Sequence, residues 1–324
     1  MVFYIARRIV SALSVILVTL VASFALFYLA PSDPVHAICG ARCTPTEVAQ
    51  ITHSLHLDDP KSVQVVHYVE GLFVGQSYND DGSNVECSAP CLGFSYTLDQ
   101  PVTDLIGNAL PITVCIVLGA VLIFLPVGIG SGVIAARNRG KALDRIMVVG
   151  TQGLSSIPYF IVALIVALYF TFLPEAGWFT QNGPGKWVLG LIGPCLTLGF
   201  FNSATYTRYS RAAMIESLTE DYTRTARAKG ISDRRVVLKH ALRATLTPIA
   251  TIFGLDLAFQ LAGSIFTEQI FGLNGLGVIT LRAFGQSDLP VLMGTTIVGA
   301  TFLVVANLIV DIVYTFLDPR VRLS

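Results

Sequence analysis

The sequence predicts an all-α polytopic membrane protein with six transmembrane helices and both termini in the cytoplasm. Two observations carry this expectation. Of 324 residues, 53% are hydrophobic and only 13% charged, with a mean hydropathy of +0.67, a composition typical of integral membrane proteins rather than water-soluble domains. The apolar residues also gather into six windows near the roughly 20 residues that a hydrocarbon core demands. Spanning segments must satisfy their backbone internally, so each window is expected to be a helix.

The first window runs from Ile9 to Ala30, the second from about Ile112 to Ala136, and the third from Ile146 to Leu173. The fourth, Trp187 to Tyr206, is interrupted by Pro194, Asn202 and Ser203. The fifth spans about Leu246 to Phe266 and the sixth Val291 to Phe316. Pro126, Pro158 and Pro194 are expected to kink their helices. Arg7 and Arg8 ahead of an apolar run resemble a signal peptide, but the run is about twice the usual length and Pro31 follows Ala30. It reads as an uncleaved span.

Orientation follows from the basic residues. Arg7 and Arg8, the loop with Arg137, Arg139, Lys141 and Arg145, the stretch from Arg208 to Arg243, and Arg320 with Arg322 hold 17 of the 21 Lys and Arg. In a six-span topology all four segments fall on one side, which the positive-inside rule makes cytoplasmic. The opposite face is acidic: residues 31–105 carry ten Asp and Glu against Arg42 and Lys61.

The chain therefore divides into an N-terminal segment and first span at 1–30, an extracytoplasmic insertion at 31–105, and a core of five spans at 106–324 that includes a cytoplasmic loop at 207–245. In the insertion, PTEVAQITHSLHL and SVQVVHYVEGLF are each expected to form a short helix, separated by Asp58, Asp59 and Pro60. Residues 76–92, rich in Asn, Asp, Gly and Ser, read as a loop. Cys39, Cys43, Cys87 and Cys91 form two CxxxC pairs in this outer segment, where disulfides persist; three pairings are open. Zinc held by these thiols with His36, His53, His56 and His67 is the rival reading, disfavoured because the spacing of structural zinc sites is absent; no metal is expected. Cys115 and Cys195 fall within spans and read as packing residues.

The basic stretch has helical punctuation. Ser217-Leu218-Thr219-Glu220 fits a capping box that would start a helix at Ser217. Gly230 is placed to end it in a left-handed conformation. Ser232 would cap a second helix, with Ile231 and Val236 spaced as a hydrophobic staple. On the first helix Tyr222, Thr225, Ala226 and Lys229 share one face, small except for one aromatic knob, suited to docking another protein. A solvated positive loop is the plainer reading, but it would not need such capping.

DYTRTARAKGISDRRVVLKHALRATLTPIAT resembles the cytoplasmic signature loop of permease subunits of dipeptide/oligopeptide/nickel-class ATP-binding-cassette importers. YIARRIVSAL, LAPSDP, HLDDP, TEQIFGLNGLGVITLRAFGQSDLPVL and VDIVYTFLDPRVR extend the resemblance over nearly the whole chain. It implies a type I importer permease fold in the bacterial cytoplasmic membrane, importing peptides. The implied partners are a homologous permease, two ATPase subunits that bind ATP and Mg, and an extracytoplasmic substrate-binding protein. Asp221, Arg224, Thr225, Ala226, Ala228, Lys229 and Gly230 would seat in a groove of the ATPase. Departures lie outside the membrane. About 16 extra residues containing CSAPC precede LGFSY, the usual PGDP reads Pro31-Ser32-Asp33-Pro34, and an Arg-Asp pair before the last span reads Ser287-Asp288.

The sequence lacks a nucleotide-binding motif. The nearest match to GxxxxGK[ST], Ala135 to Ala142, has Ala at both ends. No hydrolase, metalloprotease or dinucleotide fingerprint is present either, and no nucleic-acid partner is expected. The chain reads as non-catalytic, without a cofactor of its own. Asp256 and Asp311 lie within windows, where carboxylates are costly and point to pathways. Asp256 with Gln260 would line a translocation path or hydrogen-bond a neighbouring helix. Two rivals follow: an ion-coupled transporter using Asp256 and Asp311, and a thiol oxidoreductase using the CxxxC pairs.

Overall fold

The computed structural model describes residues 2–28, 44–54, 58–80, 83–95 and 97–317. It is mostly helical. Cys39, Cys43, His36 and His56 lie outside the described residues, as do the side chains of His53 and Asp311.

Helix α1 is Val2–Tyr28; α2 (Pro45–Ser54) and α3 (Lys61–Val74) follow in the outer segment. A hairpin of β1 (Gln76–Asp80) and β2 (Ser83–Cys87) comes next, then a two-residue antiparallel pair, β3 (Phe94–Ser95) and β4 (Gln100–Pro101). These strands correct the all-α expectation and the loop expected at 76–92. Tyr78 faces Val85 across the hairpin, and Tyr78, Cys87, Cys91 and Phe94 form a small core with the Tyr78 and Phe94 rings stacked at 5.4 Å. The sequence signal was Asp81-Gly82, a dipeptide favoured in tight hairpin links, with β-forming Tyr78 and Val85 on either side.

Helix α4 (Val102–Arg137) starts inside the expected outer insertion, ahead of the 105/106 boundary. Its 36 residues extend about 54 Å, more than a bilayer core requires. It runs through Pro111 and Pro126, where a kink was expected at Pro126. The third window, read as a single kinked span, is two helices, α5 (Ala142–Ser156) and α6 (Tyr159–Tyr169), meeting at 91°. Pro158 lacks a donor and forces Ile157 into extended backbone (φ −90°, ψ 129°), so no helix passes through.

Short α7 (Phe179–Asn182) precedes the fourth window, which opens with α8 (Trp187–Gly190) and continues as α9 (Ile192–Thr219). Pro194 sits in the first turn of α9, where a missing N–H costs nothing, so it does not kink it. After α10 (Asp221–Ala228), α11 (Asp233–Arg235), a π-helical turn (Val236–Ala241) and α12 (Leu242–Ala262) run on as one helical rod. Short α13 (Ile265–Ile270) and α14 (Leu276–Gln286) lead to α15 (Leu289–Leu317). Among the described residues, four helical segments are long and apolar enough to cross a membrane, or five if the bent α5–α6 pair is one span.

The bundle is built on α4 against α9, and α12 against α15, with α1 along α15. Gly128 and Gly132 let α4 approach closely. A Cβ at Gly128 would stand 2.5 Å from the Tyr206 Cβ, and one at Gly132 2.5 Å from the Ser210 Cβ. This small-xxx-small spacing is the usual solution where lipid removes the hydrophobic drive between helices. Ser131 and Thr207 share a hydroxyl hydrogen bond of 2.6 Å across the seam. The main core joins Ile112, Ile116 and Phe124 of α4 to Leu198 and Tyr206 of α9 and Ile249 of α12. The outer segment leans on this domain: Tyr68, Leu72 and Leu92 pack with Val102, Leu276 and Val291.

Candidate functional site

The basic stretch folds as a short helix laid across one end of the bundle. Helix α9 continues to Thr219, so Ser217 does not cap a new helix, and residues 220–232 join α9 to the rod that starts at Asp233. Ser217 is buried and instead gives its hydroxyl proton to the Ala241 carbonyl at 3.0 Å, with Tyr222 Oη at 2.5 Å. The chain turns at Glu220, whose extended backbone (ψ 152°) puts its carbonyl at the start of α10, accepting from Thr223 and Arg224 N–H. Asp221 in the first turn and Arg227 in the last complement the helix dipole.

Gly230 closes α10 with φ +75°. Its N–H donates to Arg227 O at 2.9 Å, and Ile231 N–H donates to Ala226 O at 3.2 Å, the paired closing bonds of a Schellman cap. Ser232 stands at the start of α11 without a side-chain cap bond; its carbonyl accepts from Arg235 and Val236 N–H instead. Val236 is fully buried.

Of the expected docking residues, Asp221, Arg224, Thr225, Ala228, Lys229 and Gly230 are exposed together. Ala226 is not: at 7% exposure it faces inward, as does Thr223. The helical period explains this, since positions 223 and 226 are one turn apart on the bundle side. Asp221 and Arg224 are paired at 3.7 Å but nearly fully solvated, so the pair adds little stability.

Two carboxylates inside the basic region pair with its arginines, and sequence reading missed both. Asp233 accepts from Arg227 of α10 at 3.4 Å and from Arg137, the last residue of α4, at 3.5 Å. Asp144 is gripped by Arg211 of α9, Nε at 2.5 Å and Nη2 at 2.8 Å, and accepts the Gly140 N–H at 2.9 Å. The available signal was an acid within a run of cations, which invites pairing. Beneath lies a core of Val133, Ala136, Met214, Val237 and Ala241.

Within the bundle, Asp256 accepts a hydrogen bond from Tyr206 Oη at 2.9 Å, and Gln260 accepts one from Asn202 at 3.3 Å. Both therefore tie α12 to α9. At the opposite end from α10, fully buried Glu268 accepts from Thr113 Oγ1 at 2.7 Å, Ser264 Oγ at 3.3 Å and Val278 N–H at 3.0 Å. Asp288 accepts from Ser95 Oγ at 2.5 Å and caps α15 through Val291 N–H at 3.3 Å. Burial pushes the Asp288 carboxyl up, against these two hydrogen bonds. Neither acid was singled out from sequence. Cys87 and Cys91 are joined as a disulfide, while Cys115 and Cys195 are free.

A multi-pass helical bundle that presents one tightly capped, solvent-facing helix at its basic end defines a membrane subunit of a transport system. The chain belongs to the family described as binding-protein-dependent transport system inner membrane component, whose model matches residues 128–323; residues 1–117 match the N-terminal model of the same systems. A Brucella abortus protein named as a peptide transport system permease is 36% identical over 326 residues, covering 98% of each chain. A Sinorhizobium fredii protein named as a peptide ABC transporter permease is 32% identical, covering 98% of this chain and 99% of its own. The glutathione transport system permease of Escherichia coli K12 is 30% identical over 320 residues, with 98% of each chain covered. The chain is thus a non-catalytic permease subunit of an ATP-binding-cassette importer.

Proposed function

We propose that this subunit imports small peptides across a bacterial cytoplasmic membrane, forming half of a pathway completed by a homologous permease. The chain crosses the membrane six times, α1 first and the α5–α6 pair third, with both termini cytoplasmic. Two partner ATPase subunits bind ATP and Mg, and an extracytoplasmic binding protein delivers the peptide. The names of the relatives, peptide permeases and a glutathione permease, support the cargo; glutathione is itself a small peptide.

The observation that carries this reading is α10: its outer face is exposed, its inner face is buried through Thr223 and Ala226, and Arg227 reaches Asp233, which also pairs with Arg137 of α4. A partner seated on Asp221, Arg224, Thr225, Ala228, Lys229 and Gly230 would move α10, and the Asp233 clasp would pass that displacement to α4 and to the rod ending in α12. The bundle then exchanges inward- and outward-facing arrangements, a two-state switch biased by its partners.

The test is affinity purification of the tagged chain in mild detergent with ATPase assay, comparing wild type, Gly230→Pro and Arg224→Glu. Co-purification of ATPase subunits, lost in both variants, is expected. Arg224 is 70% exposed, so its variant keeps the fold. A chain that purifies alone and still moves solute overturns the reading.

A further inference from the structure

At the end of the bundle away from α10, α4, α7, α14 and the start of α15 enclose an open cleft of about 640 Å³, within the size range of small-molecule sites. Its one cation is Arg282 of α14. Arg282 is among only four Lys and Arg outside the four basic segments, on a side whose 31–105 stretch holds ten acids. Among the described residues it has no ion-pair or hydrogen-bond partner. Asp288 lines the same cleft, but both of its oxygens are engaged, by Ser95 and by Val291 N–H. The guanidinium is exposed in the cleft and free to take a ligand.

Its neighbours fit a particular ligand. The amides of Asn108, Asn274 and Gln286 line the cleft, each offering a donor and an acceptor as a peptide unit does. Trp178, Leu105 and Ile279 supply apolar wall. Helix α14 is itself held rigidly, since Glu268 takes Val278 N–H and Thr113 takes Leu276 N–H at 2.8 Å. A guanidinium fork projected from this helix matches a carboxylate at two points.

We propose that this cleft receives the peptide on its way from the binding protein to the bundle, with Arg282 holding the C-terminal carboxylate. This rests on the peptide-import reading. The test uses the full complex in liposomes, with binding protein preloaded to saturation with trialanine or trialanine amide, and measures transfer per loaded binding protein. Wild type is expected to move the acid about tenfold faster than the amide, the discrimination of one charge-assisted hydrogen-bonded pair. Arg282→Gln should slow the acid about tenfold and erase the difference, Arg282→Lys should restore part of it, and ATPase activity without binding protein should be unchanged. An acid-to-amide ratio unaltered in Arg282→Gln overturns the proposal, leaving a solvated arginine. Loss of ATPase stimulation by empty binding protein also overturns it, making the cleft a protein dock. A wild-type complex that moves neither peptide sinks the import reading first, and the carboxylate site with it.

Discussion

Arg211 sets its Nε and Nη2 on the two carboxylate oxygens of Asp144, so the middle of α9 is tied at two points to the first turn of α5. The Asp144 carboxyl is 5% exposed and the arginine 27%. Breaking the fork leaves a buried acceptor short of donors, which costs about 1–3 kcal/mol.

Thermal unfolding in detergent at neutral pH should show Arg211→Gln destabilised by about that amount. An unchanged midpoint would rule the pair out as a source of stability.

Gly230→Ala separates backbone strain from contact. No atom lies within 4 Å of a Cβ at Gly230, but its φ is +75°, so the substitution should cost about 1–2 kcal/mol of left-handed strain alone. Coupling should weaken without collapse of the fold, read as ATPase stimulation in the complex. An unchanged ATPase profile would show that the turn is not on the transmission route.

Asp256→Asn decides between an ATP-driven permease and an ion-coupled carrier. Because Tyr206 Oη donates to this carboxylate, an amide oxygen can accept in its place, and interhelical hydrogen bonds in membranes average about 0.6 kcal/mol. Transport should therefore persist at a rate within a few-fold of wild type. Abolished uptake with intact folding would favour ion coupling.

Replacing Cys87 and Cys91 with Ser opens a ring of very few residues; on a chain-entropy argument the loss is about 2 kcal/mol. The effect should be local to the hairpin and its Tyr78–Phe94 core. Uptake that survives replacement of Cys39 and Cys43 as well disposes of thiol redox chemistry, and protease sensitivity of the double variant confined to 76–95 checks the locality.

Glu268→Gln is isosteric yet should be disruptive. All three partners of this carboxylate, Thr113, Ser264 and Val278 N–H, donate, and an amide would aim N–H groups back at donors. Hydrogen exchange of residues 264–278 should accelerate by about 5- to 150-fold, corresponding to about 1–3 kcal/mol. No change there would mean the loop is held by packing alone.

The sequence makes the bundle legible because lipid imposes one rule on every span, and apolar length reports it directly. Gly230 is legible for a similarly local reason: few residues accept a positive φ. Ser217 misleads because a Ser-x-x-Glu pattern also occurs inside a helix, where tertiary partners, here Ala241 O and Tyr222, take the hydroxyl. The bend at Pro158 shows in the sequence, but its 91° depends on what α6 packs against, namely α13 and α9. The clasps of Asp144, Asp233, Glu268 and Asp288 join residues 67, 96, 155 and 193 positions apart, and no periodicity in one chain carries that information.

The π turn at Val236–Ala241 gives the rod from Asp233 to Ala262 two angular indices. Each α-helical residue advances about 100°, and a turn that closes one residue late resets the count. Heptad spacing therefore cannot be carried from Asp233 to Asp256 and Gln260. Deleting one residue between 236 and 241 would let that turn close as ordinary α-helix with both flanks in place, whereas a deletion between 242 and 255 would swing Asp256 about 100° around the axis relative to Asp233, with the composition almost untouched. The register of the rod is thus written in a residue count, and a single frame-preserving deletion beyond the π turn is the change to which it is most exposed.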